Sequence, residues 1–149
     1  MEKYIGLDLG SKTIGVAISS GIIANPLGTI RFEEYDFETA ANMLHKYLEE
    51  NQISIIVIGY PINMNNSIGH RAEMVDYFIE VLTTIFPKWN STNVVRVDER
   101  LTTRMAKAIM IKADLSRKKQ KENKDGLAAQ LILETYLTQI ANKNLKNPQ

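Results

Sequence analysis

Three acidic residues stand where solubility does not require them: Asp8, Glu99 and Asp125. Asp is depleted in strands, yet Asp8 sits inside Tyr4-Ile5-Gly6-Leu7-Asp8-Leu9-Gly10, which alternates as a strand does. Glu99 follows the short apolar run Val94-Val95-Arg96-Val97. It has a rival in Asp98, and either acid could instead pair with Arg100 or Arg104. Asp125 opens the last helical pattern. Residues three, four and seven apart share a helix face, so Asp125 falls with Ala128, Ala129 and Ile132 and is expected to point inward. Its ordinary role would be a helix-start acid favoured by the dipole. Oxygen-only ligands suit Mg2+ or Mn2+. Carboxylates holding two such ions about 3.5–4 Å apart fit in-line phosphoryl transfer.

The rest of the composition narrows the chemistry. There is no Cys, which excludes disulfides, thiolate catalysis and zinc–thiolate sites. His45 and His70 are the only histidines, too few for a His-rich metal site. His45 falls on the polar side of its helix and is expected to be solvated. Net charge is +1, so any nucleic-acid contact must come from a local patch rather than a basic domain. A hydrophobic share of 44% in 149 residues suits one domain with one core. That domain is expected over 1–141, with 142–149 a frayed polar tail. No apolar run is long enough to span a bilayer, and no signal-peptide pattern precedes the first strand. A cytoplasmic protein without membrane contact is expected.

The elements that must position these acids follow from periodicity. Strand side chains alternate, so Ile5, Leu7 and Leu9 share a bulky face and Gly6, Asp8 and Gly10 a small one. Ile14, Val16 and Ile18 repeat the bulky face; Gly15, Ala17 and Ser19 repeat the small one. Asp8 therefore rises from a floor with little side chain. That leaves room for a cation or phosphate, or for close packing of a helix. Gly10-Ser11-Lys12-Thr13 supplies the hairpin turn, with Gly available for positive φ. Asn25 to Gly28 is expected as a turn and Thr29 to Phe32 as a third strand. Asp36 is a plausible N-cap for a helix carrying Phe37, Ala41, Leu44 and Leu48 to about Glu50. Ile53 to Ile58 is a β-branched run suited to a strand buried on both faces. A polar loop over 59–67, a helix over about 72–85, the strand Val94–Val97, a helix over about 101–113 and a basic connector, 116–124, lead to the last helix, about 125–141. Strand–helix–strand–helix order favours parallel pairing after the opening hairpin. Ligand sites in such sheets lie at the carboxyl ends of strands, where the polar loop and Asp98-Glu99-Arg100 both fall.

Four motifs in this order carry a family resemblance. They are Gly6-Leu7-Asp8-Leu9-Gly10 with Ile14-Gly15-Val16-Ala17; Ile58-Gly59-Tyr60-Pro61 through Met64 and Ser67; Asp98-Glu99-Arg100-Leu101-Thr102-Thr103; and Ser116-Arg117-Lys118-Lys119 followed by Asp125, Ala128 and Ala129. The chain resembles the RuvX/YqgF family over nearly its whole length. The chain departs from the family pattern at Tyr60, where Leu is usual, at Asn66, where Gly is common, and at Ser20, where an acid is common.

The resemblance implies an α/β, RNase H-like fold: a mixed five-stranded sheet, its first three strands antiparallel and its last two parallel, flanked by helices. It implies that Asp8, Glu99 and Asp125 are the catalytic metal ligands for Mg2+ or Mn2+. Substrate contacts are expected from Lys12, Ser67, Arg71, Arg100, Thr102, Arg104, Arg117, Lys118 and Lys119. The implied activity is a nuclease trimming the 5′ end of precursor 16S ribosomal RNA in ribosome biogenesis, with ribosomal particles as partners. Three alternatives stand beside it: Holliday-junction resolution on four-way DNA, a catalytically silent RNA-binding module, and an ATP-binding protein of the actin-like and sugar-kinase type. The last needs two domains around a cleft, and 149 residues hold one. A monomer or weak homodimer is expected.

Overall fold

A computed structural model describes residues 2–21, 23–62, 65, 68–98 and 124–146, with backbone alone at 124–125 and 144–146. Five strands form one sheet: β1 (Tyr4–Leu9), β2 (Thr13–Ser20), β3 (Ile23–Arg31), β4 (Ile55–Tyr60) and β5 (Val94–Asp98). Their order is β3-β2-β1-β4-β5. β1–β2 and β2–β3 pair antiparallel, whereas β1–β4 and β4–β5 pair parallel. The mixed sheet expected from the sequence is therefore the one observed.

Among the described residues three helices cover the sheet: α1 (Phe37–Glu50), α2 (His70–Ile85) and α3 (Lys124–Lys146). α1 and α2 cover the bulky face. Ile5, Leu7, Leu9, Ile14 and Val16 are buried there with Phe37, Leu44, Leu48, Phe78 and Leu82. α3 covers the small face, where Ala17, Ala24, Val57 and Val97 pack with Ala129, Ile132 and Leu133. The N-cap of α1 is the expected one. The Asp36 carboxylate accepts from the Thr39 backbone N–H at 3.3 Å and from its hydroxyl at 2.7 Å.

Four local expectations are corrected. Asn25 to Gly28 is not a turn but part of β3, which runs unbroken from Ile23. β3 is an edge strand, so Pro26 forfeits no obligatory ladder bond. A register shift opposite Val16 and Ala17 absorbs Leu27, with Gly28 at φ 153°. Gly10 does not take positive φ; its N–H donates to Thr13 O at 2.7 Å and closes the β1–β2 turn. α3 continues to Lys146, beyond the end expected near Ala141. His45 is only partly solvated: it is half-buried and stacks flat on Phe86, with centroids 3.8 Å apart. The helix expected over 101–113 and most of the basic connector lie outside the described residues.

Candidate active site

Asp8 lies near the carboxyl end of β1, half-buried, on the face that α3 covers. Its pleat neighbours are small: Gly15 pairs with it across β2, and Gly6 with Ala17. Under Gly6 the floor is filled rather than open. A Cβ there would meet Ala129 O at 2.7 Å and Leu133 Cβ at 2.8 Å. Close helix packing, not ligand space, thus explains Gly6. Asp8 is the next residue on that face, about 6.6 Å further along the strand. The start of α3 crosses the same face, where Gly126 approaches Pro26 of β3. Asp125 is the residue before Gly126 in α3, and its side chain lies outside the described residues, as does all of Glu99.

The parallel register fixes what surrounds Asp8 along the sheet edge. Leu7 pairs with Ile58, Gly59 with Val97, and Tyr60 with Asp98. The carboxyl ends of β1, β4 and β5 therefore end together. Alternation along β5 separates its residues by face. Val97 packs toward α3, whereas Val94 belongs to the core under α1 and α2. Asp98 follows Val94 and Arg96 on that second face, opposite to Asp8. Among the described residues no three of His, Cys, Asp and Glu gather as a metal site would require.

Two expected substrate contacts fall within the description. Lys12 is exposed in the β1–β2 turn and Arg71 is exposed in the first turn of α2. Tyr35 joins these two places. Its N–H donates to Ser11 O at 2.8 Å, and its hydroxyl sits 3.3 Å from His70 Nε2. Tyr35 is exposed and holds φ 62°, a conformation rare for a bulky side chain. Ser67, Arg100, Thr102, Arg104, Arg117, Lys118 and Lys119 lie outside the described residues.

A network beside this edge was not anticipated. The Asp76 carboxylate in α2 accepts from Arg96 Nε at 3.0 Å through Oδ1 and from the Tyr60 hydroxyl at 2.8 Å through Oδ2. Arg96 Nη2 also lies 2.9 Å from Oδ1, and its guanidinium stands 5.6 Å from the Tyr60 ring centroid. Burial, then the bond to Asp76 and its charge, raise the Tyr60 hydroxyl pKa above its usual value, with Arg96 opposing. The only sequence signal was a charged residue inside a short strand, Arg96.

Comparison with known proteins agrees with this architecture. A sequence model of the RuvX family, described as Holliday junction resolvase, matches residues 2–139. The chain belongs to the RuvX family and is a nuclease of RNase H-like fold. A protein of Mycoplasma capricolum named "putative pre-16S rRNA nuclease" is 57% identical over 91% of this chain and 95% of its own. Proteins of the same name from Mesoplasma florum and Staphylococcus epidermidis are 54% and 43% identical, over 94% and 93% of this chain and 99% and 97% of their own. Among solved structures, T. thermophilus RuvC in complex with a Holliday junction substrate aligns at TM-score 0.58 and 13% identity, covering 89% of this chain and 92% of that one. At that identity the likeness concerns the fold alone. No helix among the described residues is long and apolar enough to cross a membrane.

Proposed function

We propose that this nuclease is metal-dependent and trims the 5′ end of precursor 16S ribosomal RNA, with Asp8, Glu99 and Asp125 as its ligands for Mg2+ or Mn2+. The observation that carries the proposal is Asp8 itself: a half-buried carboxylate at the end of β1, beside a small-residue floor that the start of α3 crosses. Asp98 alternates to the face opposite Asp8, which supports the choice of Glu99 over Asp98 as the second acid. All three donors are carboxylates, the donor class that Mg2+ and Mn2+ prefer. When bound, such ions would supply charge stabilisation and an activated water for phosphodiester hydrolysis. In this reading the chain's own part would be to bring the three carboxylates to one site and to present Lys12 and Arg71 to the phosphates around them. The relatives' name supports precursor 16S ribosomal RNA as substrate.

The family description favours a second reading, cleavage of four-way DNA junctions. Paired symmetric cuts require a two-fold dimer and a broad positive surface, and a net charge of +1 does not supply the latter. The experiment offers purified protein, with Mn2+ or Mg2+, both precursor ribosomal RNA and a four-way junction. RNA cleavage that EDTA and Asp8→Asn both abolish is expected. Symmetric junction cuts with RNA left intact would establish the second reading. RNA binding that survives EDTA without any cleavage would mark a silent binder.

A further inference from the structure

From the Tyr60–Asp76–Arg96 network we infer that Asp76 is a positioning hub, which sets the ends of β4 and β5 and through them the acid that follows Asp98. The inference rests on the metal-site assignment above. Three segments meet at one carboxylate. Tyr60 is the last residue of β4 and precedes the polar loop that returns to α2 at His70. Asp76 lies within α2, so the 2.8 Å bond from Tyr60 ties the end of β4 to the interior of that helix. Arg96 is in β5, an edge strand held by pairing on one side only. The hydrogen bond from its Nε and the 2.9 Å ion-pair approach of its Nη2 to Oδ1 fasten β5 to α2, two residues before the strand ends at Asp98. Tyr60 and Asp98 are direct register partners, so both strand ends share one fastening.

Stability does not account for this arrangement. Asp76 and Arg96 side chains are each 43% exposed, and ion pairs so exposed contribute little to folding. What the network does supply is geometry. Both carboxylate oxygens are engaged, the guanidinium is held at two nitrogens, and the Tyr60 ring lies against it. An edge strand that ends beside a catalytic acid is where such a restraint changes a rate rather than a melting temperature, because small misplacements of reacting groups are costly.

The test compares Tyr60→Phe, which removes one bond to Asp76, with Arg96→Lys, which keeps the charge but loses the fork. Each variant is measured for kcat and KM on precursor ribosomal RNA, for the Mn2+ concentration giving half-maximal rate, and for amide hydrogen exchange at Val97 and Asp98. The expected result is a kcat lower by about five- to tenfold with KM within about twofold. A higher Mn2+ requirement and faster exchange at Val97 and Asp98 should accompany it. Unchanged kcat and Mn2+ requirement in both variants would overturn the inference, as would losses that merely track a lowered Tm. If the wild-type protein cuts no RNA, the functional assignment fails separately. Exchange then decides the hub, and unchanged protection of Val97 and Asp98 in both variants refutes it.

Discussion

The two faces of the sheet are built on opposite principles. Beneath α1 and α2 the side chains are large: Phe37, Phe78, Leu44 and Leu82 are fully buried against Ile5, Leu7 and Ile14. Beneath α3 they are small, and backbone nearly meets backbone where Ala129 O faces Gly6. The thick face binds two helices through apolar area. The thin face brings one helix within backbone contact of β1, over the same face from which Asp8 rises. The same strand feeds both, because alternation sends Leu7 one way and Asp8 the other.

The largest effect should come from the three proposed metal ligands. Asp8→Asn, Glu99→Gln and Asp125→Asn should each lower RNA cleavage on the order of 100-fold or more, because each weakens metal binding and charge stabilisation. Circular dichroism and Tm should show an intact fold. Full activity in any one variant removes that residue from the site.

Next come two substitutions that set the faces against each other. Leu44→Ala leaves a cavity in the thick face and should cost about 2–5 kcal/mol in denaturant unfolding. Activity per folded molecule should be retained. Gly6→Ala overpacks the thin face and should cost about 1–3 kcal/mol, since the obstacle is the α3 backbone at 2.7 Å. It should also reduce cleavage per folded molecule, because α3 can yield only by shifting. Equal losses of activity in the two variants would break the division of labour between faces.

A smaller effect is expected from the basic connector. Lys118→Ala with Lys119→Ala should weaken RNA binding evenly across sequences. The salt dependence should flatten by about one to two contacts, each worth roughly 0.7 in slope for single strands. Binding constants measured against salt concentration decide this, and parallel lines of equal affinity would make the connector a solvated loop. The smallest effect belongs to Asp98→Asn. Asp98 lies on the face opposite Asp8, so cleavage should fall by less than about threefold. A loss as large as that of Asp8→Asn would show that alternation at the end of β5 misassigns the acid.

Much of this was legible in the residues alone. The period-2 patterns of 4–9 and 13–19 predict a hairpin with one bulky and one small face, and that is how the core divides. Asp36 ahead of Phe37, Ala41, Leu44 and Leu48 predicts α1 and its cap, because capping and periodicity act within a few residues. The strand–helix–strand order predicts the parallel half of the sheet. What only the tertiary structure decided are matters of pairing between distant segments. Pro26 enters a strand because β3 is an edge, a fact about neighbours that no local pattern contains. His45 is partly withdrawn from solvent because Phe86, 41 residues later, offers a ring to stack on. Tyr35 takes a left-handed backbone because the β1–β2 turn and His70 hold it at both ends. Asp76 becomes a hub because the register of β4 with β5 brings Tyr60 and Arg96 to one helix. Spacing along the chain records which face a residue takes on its own element; it does not record which other element arrives there, and each of these four outcomes turned on that.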